Sequence, residues 1–182
     1  IGAIAPLAER VLALAAALPP LPPCPDRIVH GDLKISNLMF AKDTDRALCL
    51  IDLDTLSRMP IALELGDALR SWCNPTTEDA KDATFRRDYF DAAVRGYAEA
   101  APGFLTMNEW RAIPLGTLTI TVELAARFCA DALRESYFSW DARRHATASE
   151  HNQWRTRGQL QVAAGIAAGM DALETSVARA FG

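Results

Sequence analysis

The sequence predicts a mainly helical α+β fold, and three observations carry that expectation. Apolar residues recur at helical spacing through most of the chain. Only Ile28–Val29, Leu38–Phe40 and Leu48–Ile51 read as strands, all of them short. Two of these flank the polar stretch "AKDTDRA", which predicts an antiparallel hairpin set into a helical body.

The elements follow in order. Ala5–Leu18 is an expected helix, stopped by Pro19 and Pro20, with "PPLPPCP" as a stiff connector. Its start has the apolar look of a signal peptide, but no basic segment precedes it and Glu9 and Arg10 stand before the run Val11–Leu18. The chain begins with Ile rather than Met and reads as trimmed or partial. Beyond the strands, helices are expected over Leu63–Trp72 and over Asp79–Ala100, the latter stopped at Pro102-Gly103. A short Asn108–Ile113 piece is broken by Pro114, and long helices follow over Leu115–Arg134 and Ser149–Ala180. In the last, Leu160, Ala164, Ala167 and Met170 form a stripe that reads as core, and most Trp and Phe residues read as packing.

A chain of 182 residues suits one domain, or one lobe of a larger protein, and half of its residues are apolar. The net charge of −4 and the lack of any basic run argue against a nucleic-acid partner. No apolar stretch reaches the roughly 18 residues of a membrane span, so no membrane is expected. Cys24, Cys49, Cys73 and Cys129 are scattered without CxxC or a nearby His, which predicts free thiols, a reducing cytoplasm and no zinc.

The hairpin brings chemistry together. With Phe40 opposite Cys49, Leu38 faces Ile51 and Asn37 faces Asp52, so a carboxamide and a carboxylate share the hairpin's open end. Asp32 lies in the loop that feeds this end. Three converging oxygen-bearing groups suit Mg²⁺, a hard cation that takes protein oxygens together with phosphate oxygens. Taken alone, each has a plainer use: Asp32 capping a turn after Gly31, Asn37 and Asp52 capping the hairpin.

His30-Gly31-Asp32-Leu33-Lys34-Ile35-Ser36-Asn37 resembles the catalytic loop H-x-D-x-x-x-x-N of the protein-kinase-like fold, and "LIDLDT" (Leu50–Thr55) resembles its metal-binding strand end. The HGD form resembles that of the aminoglycoside phosphotransferase and choline kinase group of small-molecule kinases. "HGDLKISNLMF", "ALCLIDLDT", "ELGDALR" and "ELAARFCADALRESYF" look closest to its N-acetylhexosamine 1-kinase type, over roughly residues 26–140. Asp52 is followed by Leu53-Asp54 rather than Phe-Gly, and no A-P-E element follows, which argues against a protein substrate.

The resemblance implies roles. Asp32 is the catalytic base, Lys34 contacts the transferred phosphate, and Asn37 and Asp52 hold Mg²⁺ on ATP. His30 orients the loop and Asp67 braces it, or else Asp67 is an ordinary acidic residue in a helix's first turn. Asp54, Glu123, Arg127 and Tyr137 are the acceptor-site candidates, although Glu123 and Arg127 also have the i, i+4 spacing of a common helix ion pair. "DLDT" is also reminiscent of the D-x-D-x-T of haloacid-dehalogenase phosphatases, but its threonine comes one position early.

By the same resemblance, the chain corresponds to the C-terminal lobe of the protein-kinase-like fold over residues 1–182, without the N-terminal β-rich lobe that covers ATP. Two readings follow. One is the acceptor side of an ATP- and Mg²⁺-dependent kinase for a small sugar-like or amino-alcohol acceptor. The other is a non-catalytic ligand-binding or oligomerising module, in which the apolar face left by the missing lobe would form a homodimer.

Overall fold

In the computed structural model the residues described are 2–80 and 82–182. Ile1, and Lys81 within the expected helix Asp79–Ala100, lie outside them. Helix α1 (Ala5–Ala17) ends where the proline connector begins, with Pro6 in its first turn, where the missing N–H costs nothing. Strand β1 (Asp26–Val29) pairs antiparallel with β4 (Ser57–Pro60), Val29 opposite Ser57. Strand β4 was not expected. Met59 is its only large apolar residue and it ends in proline, so no strand pattern marks it.

Between these strands stands the hairpin of β2 (Leu38–Phe40) and β3 (Ala47–Leu50), its turn carrying Asp43 at φ +60°. The hairpin is as expected, but its register is not. Leu38 faces Leu50 and Met39 faces Cys49, with an irregularity between Met39 and Phe40. Asn37 therefore lies opposite Ile51, whose N–H donates to the Asn37 carbonyl at 3.0 Å, and not opposite Asp52.

The helical body begins with α2 (Ile61–Trp72) and continues with α3 (Arg87–Ala100). The expected helix over Asp79–Ala100 thus starts eight residues late. Residues 74–80 and 82–86 are non-helical, tied back where Arg86 N–H donates to the Cys73 carbonyl at 2.7 Å. Helix α4 (Met107–Arg111) opens on a capping box between Thr106 and Glu109, and α5 (Ile113–Arg134) accommodates Pro114 in its first turn. The expected final helix is two, α6 (Ala148–Ala168) and α7 (Met170–Phe181), divided at Gly169.

Helix α5 is the axis of the body, flanked by α2 and α6. It is long and apolar enough to cross a membrane by composition, contrary to the reading that no segment is, but most of it is buried inside the protein. Its buried Thr117 and Thr121 hydroxyls donate to carbonyls four residues back, so no polar group is left unpaired there. The α2–α5 crossing is very close: a Cβ on Gly116 would stand 2.1 Å from the Ala62 carbonyl oxygen, and one on Gly66 2.6 Å from the Gly116 backbone. Only glycine allows that approach.

The main core joins Leu65, Leu69, Phe90, Ile113, Val122, Val162, Ile166 and Leu173. A second cluster seats Leu7 and Val11 of α1 against Ala125, Cys129 and Leu160. Of the expected α6 stripe, Leu160 is buried, but Ala164 and Ala167 are exposed and Met170 only half-buried; Val162, Ala163 and Ile166 do that packing. Phe90 and Phe128 are core residues as expected, whereas Phe40, Phe104 and Trp140 are exposed. All four cysteines are free thiols.

Candidate active site

The loop His30–Asn37 is shaped by bonds that reach it from the turn around Thr55 and from both ends of α2. Gly31 has φ +84°, and a Cβ there would meet the Thr55 carbonyl at 2.4 Å, so glycine is required twice over. Thr55 Oγ1 donates to the His30 carbonyl at 2.7 Å, and Trp72 Nε1 donates to that of Leu33 at 2.7 Å. From the first turn of α2, the Glu64 carboxylate accepts the N–H groups of His30 (2.9 Å) and Gly31 (3.0 Å). Burial pushes the Glu64 carboxyl up, and the two backbone donors oppose the shift.

Glu64, and not Asp67, therefore braces the loop. Asp67 instead accepts from Arg70, which also reaches Glu78 at 2.7 Å. Burial opposes the charge on Arg70, but Asp67 and Glu78 hold its pKa above the ordinary value. The sequence did hold a signal for Glu64. It lies three residues after Ile61 and four before Ala68, on the buried face of an amphipathic helix where a carboxylate needs partners.

Within the loop, Asp32 Oδ2 accepts from both Lys34 Nζ and Asn37 Nδ2, the latter at 3.0 Å. Asn37 Nδ2 also donates to the Asp32 carbonyl at 2.9 Å. Both of its side-chain hydrogen bonds use Nδ2, which leaves the hard oxygen Oδ1 for a cation. The bond to Asp32 raises the Lys34 pKa, so Lys34 is a cation at neutral pH.

Asp52 follows Ile51, and the loop grips Ile51 on both sides. His30 Nε2 donates to the Ile51 carbonyl at 2.9 Å, while the Ile51 N–H bonds Asn37. Asp52 has left-handed backbone, φ +68°, an unusual conformation for a non-glycine residue, and its carboxylate is unpaired among the described residues. So the expected pairing of Asn37 with Asp52 fails: Asn37 meets Ile51, and the bonds to Ile51 anchor the residue just before Asp52. An amide oxygen and a carboxylate are donors of the type a hard cation such as Mg²⁺ takes.

A cleft of about 930 Å³ runs from this loop to α5. Asp32, Lys34, Asp67, Glu123, Arg127 and Tyr137 all line it, so six of the sequence-derived candidates share one space. Asn37 sits buried behind Asp32, while His30, Asp52 and Asp54 lie outside the lining. Asp54 is exposed, in a 3-10 turn over Leu53–Thr55.

Glu123 and Arg127 do make the i, i+4 pair, at a loose 3.8 Å. Arg127 also donates to the Tyr137 hydroxyl at 3.1 Å and lies 5.3 Å over the Tyr137 ring. Burial pushes the Glu123 carboxyl up, Asp67 adds to the shift and Arg127 opposes it.

Sequence comparison places this geometry in a family. The model of the phosphotransferase enzyme family (APH) matches residues 3–102, more than half of the chain, and takes in the loop, the hairpin and α2. The chain belongs to the phosphotransferase enzyme family. The α5 residues and Tyr137 lie beyond the matched segment.

Proposed function

We propose that the chain is the acceptor-binding C-terminal lobe of an ATP- and Mg²⁺-dependent kinase that phosphorylates a small-molecule hydroxyl, with a hexosamine as the preferred acceptor class. The observation that supports this best is the shared cleft. The Asp32–Lys34–Asn37 loop lies at one side and Glu123, Arg127 and Tyr137 at the other.

Asp32 Oδ2 is occupied by Lys34 and Asn37, which leaves Oδ1 for the acceptor hydroxyl. As the acceptor oxygen forms its bond to the γ-phosphorus, the bond from that phosphorus to the ADP oxygen breaks and the hydroxyl proton passes to Asp32. Lys34 lies beside Asp32 as a cation for the transferred phosphoryl oxygens. Asn37 Oδ1 and the Asp52 carboxylate would hold Mg²⁺, which supplies charge neutralisation on the phosphates when bound. Arg127 and Tyr137 offer the acceptor a planar donor and a ring face, while Glu123 and Asp67 offer hydroxyl-binding carboxylates.

A nucleotide-covering lobe would find a ready surface. Ile28, Met39, Phe40, Leu48, Leu50, Ile51 and Leu53 are all exposed around the strands and the turn that follows them. The same surface would serve a homodimer, the reading without catalysis.

The test is a screen of the protein carrying this chain with ATP, Mg²⁺ and N-acetylhexosamines, choline or aminoglycosides, read as ADP release. Acceptor-dependent release that disappears in Asp32→Asn, with folding unchanged by circular dichroism, supports the kinase. Near-parent turnover in Asp32→Asn removes Asp32 as the base.

A further inference from the structure

One buried carboxylate is left unused by this chemistry. Asp131 lies near the end of α5, one turn beyond Arg127, is 4% exposed, and pairs with no cation among the described residues. Burying a charge this way is costly unless hydrogen bonds replace the lost water. Four do. Its Oδ1 accepts the N–H groups of Ser136 (3.0 Å) and Tyr137 (2.9 Å), and its Oδ2 accepts those of Phe138 (2.9 Å) and Asn152 Nδ2 (3.0 Å). Burial works against the charge, but these donors hold the carboxyl below its ordinary value.

Three of the four donors are consecutive amides of the segment that carries Tyr137 into the cleft. Glu135 begins it with φ +52°, a conformation that side chains disfavour and that its surroundings must maintain. Phe138 is anchored on Phe128, ring centroids 4.5 Å apart, but the Tyr137 side chain is 71% exposed. The Tyr137 ring touches the edge of Phe138 and Arg127, and packing by itself does little to fix where its hydroxyl points.

We propose that Asp131 is a positioning residue for the acceptor: it clamps the 136–138 backbone and thereby sets Tyr137 and Arg127 against the cleft. This rests on the acceptor reading above for its consequence, but the clamp itself does not. The distinguishing property is selectivity: losing it moves the acceptor wall and leaves the phosphate end, held by Glu64 and His30, in place.

Asp131→Asn keeps the size of the side chain but turns an NH₂ toward the N–H of Phe138 and toward Asn152. Hydrogen exchange tests the clamp without any ligand. The amides of Ser136–Phe138 should exchange about tenfold faster or more, while those of residues 113–130 stay at the parent rate. Kinetics with N-acetylglucosamine as the probe acceptor test the consequence. Its KM should rise about tenfold with the KM for MgATP unchanged, and Asp131→Asn combined with Tyr137→Phe should add up to less than the two single effects.

Parent-like exchange at 136–138, or equal acceleration through α5, overturns the proposal. So does an unmoved acceptor KM in an Asp131→Asn protein that turns over the probe. If Asp131→Asn does not fold, Asn152→Ala removes one of the four donors and should shift the same amides and the same KM, less strongly. If the parent does not phosphorylate N-acetylglucosamine, the acceptor reading is what fails, and the exchange rates alone uphold or overturn the clamp.

Discussion

Replacing Glu64 by Gln removes one of the two acceptors that hold His30 and Gly31 while keeping the shape of the side chain. The Glu64 carboxylate takes two backbone N–H bonds, at 2.9 and 3.0 Å, from residues that are sequence neighbours of Asp32. Gln keeps one acceptor and sets a donor against the second N–H. Losing a bond to a buried charge and stranding its donor costs about 2–4 kcal/mol, and relief from burying the charge returns about 1, for a net loss of about 1–3 kcal/mol. Asp67→Asn should cost less, about 0.5–1 kcal/mol, because its pair with Arg70 is partly exposed and Arg70 keeps Glu78. Urea unfolding at constant slope measures both. If Glu64→Gln stays within about 0.5 kcal/mol of the parent and Asp67→Asn costs more, the brace belongs to Asp67 and the reasoning here is refuted.

Gly116→Ala places a Cβ 2.1 Å from the Ala62 carbonyl, so it should destabilise by about 3 kcal/mol. Gly96→Ala in α3, with nothing within 4 Å, should stabilise by about 0.5–1 kcal/mol, and thermal melts compare the two. Hydrogen bonds from Arg27 hold the buried Glu109 carboxyl down at about 2, from an ordinary 4.5. Its folded pKa being the lower one, this stabilisation is full above about 4.5 and is lost as pH falls toward 2; Glu109→Gln should flatten the acid limb of the stability profile, as denaturation at pH 2 to 6 will show. Burial pushes the Cys73 thiol up to about 12, whereas Cys49 is exposed. Iodoacetamide at pH 8 should therefore modify Cys49 in the folded protein and spare Cys73 until unfolding, as peptide mass mapping will record.

What could be read in advance was what short-range chemistry dictates. The loop His30–Asn37 was legible because its residues act within eight positions of one another, and the hairpin because its turn is locally polar. Helices α1, α2 and α5 were close to their expected extents, since each carries an apolar face and clear stops. The helix expected from Asp79 failed for a long-range reason. Asp79 is taken by Arg155 of α6 at 2.7 Å and sits 2.9 Å from His151, so it is held against α6 instead of starting a helix, and Asn74 and Thr76–Glu78 before it line the cleft. The break at Gly169 likewise needed α7 to turn back onto α3.

The site divides in the same way. The sequence by itself determined the chemical cast: a loop aspartate with its lysine and asparagine, a second aspartate after a short strand, and membership of a phosphotransferase family. Only the tertiary structure decided that Glu64 and not Asp67 braces the loop, that Ile51 and not Asp52 meets Asn37, and that Asp131 holds the far wall. The physical reason is reach. A local motif can name the groups that act, but a buried carboxylate's partners lie wherever packing brings unpaired N–H groups, and at Glu64 those are more than 30 residues away in the chain.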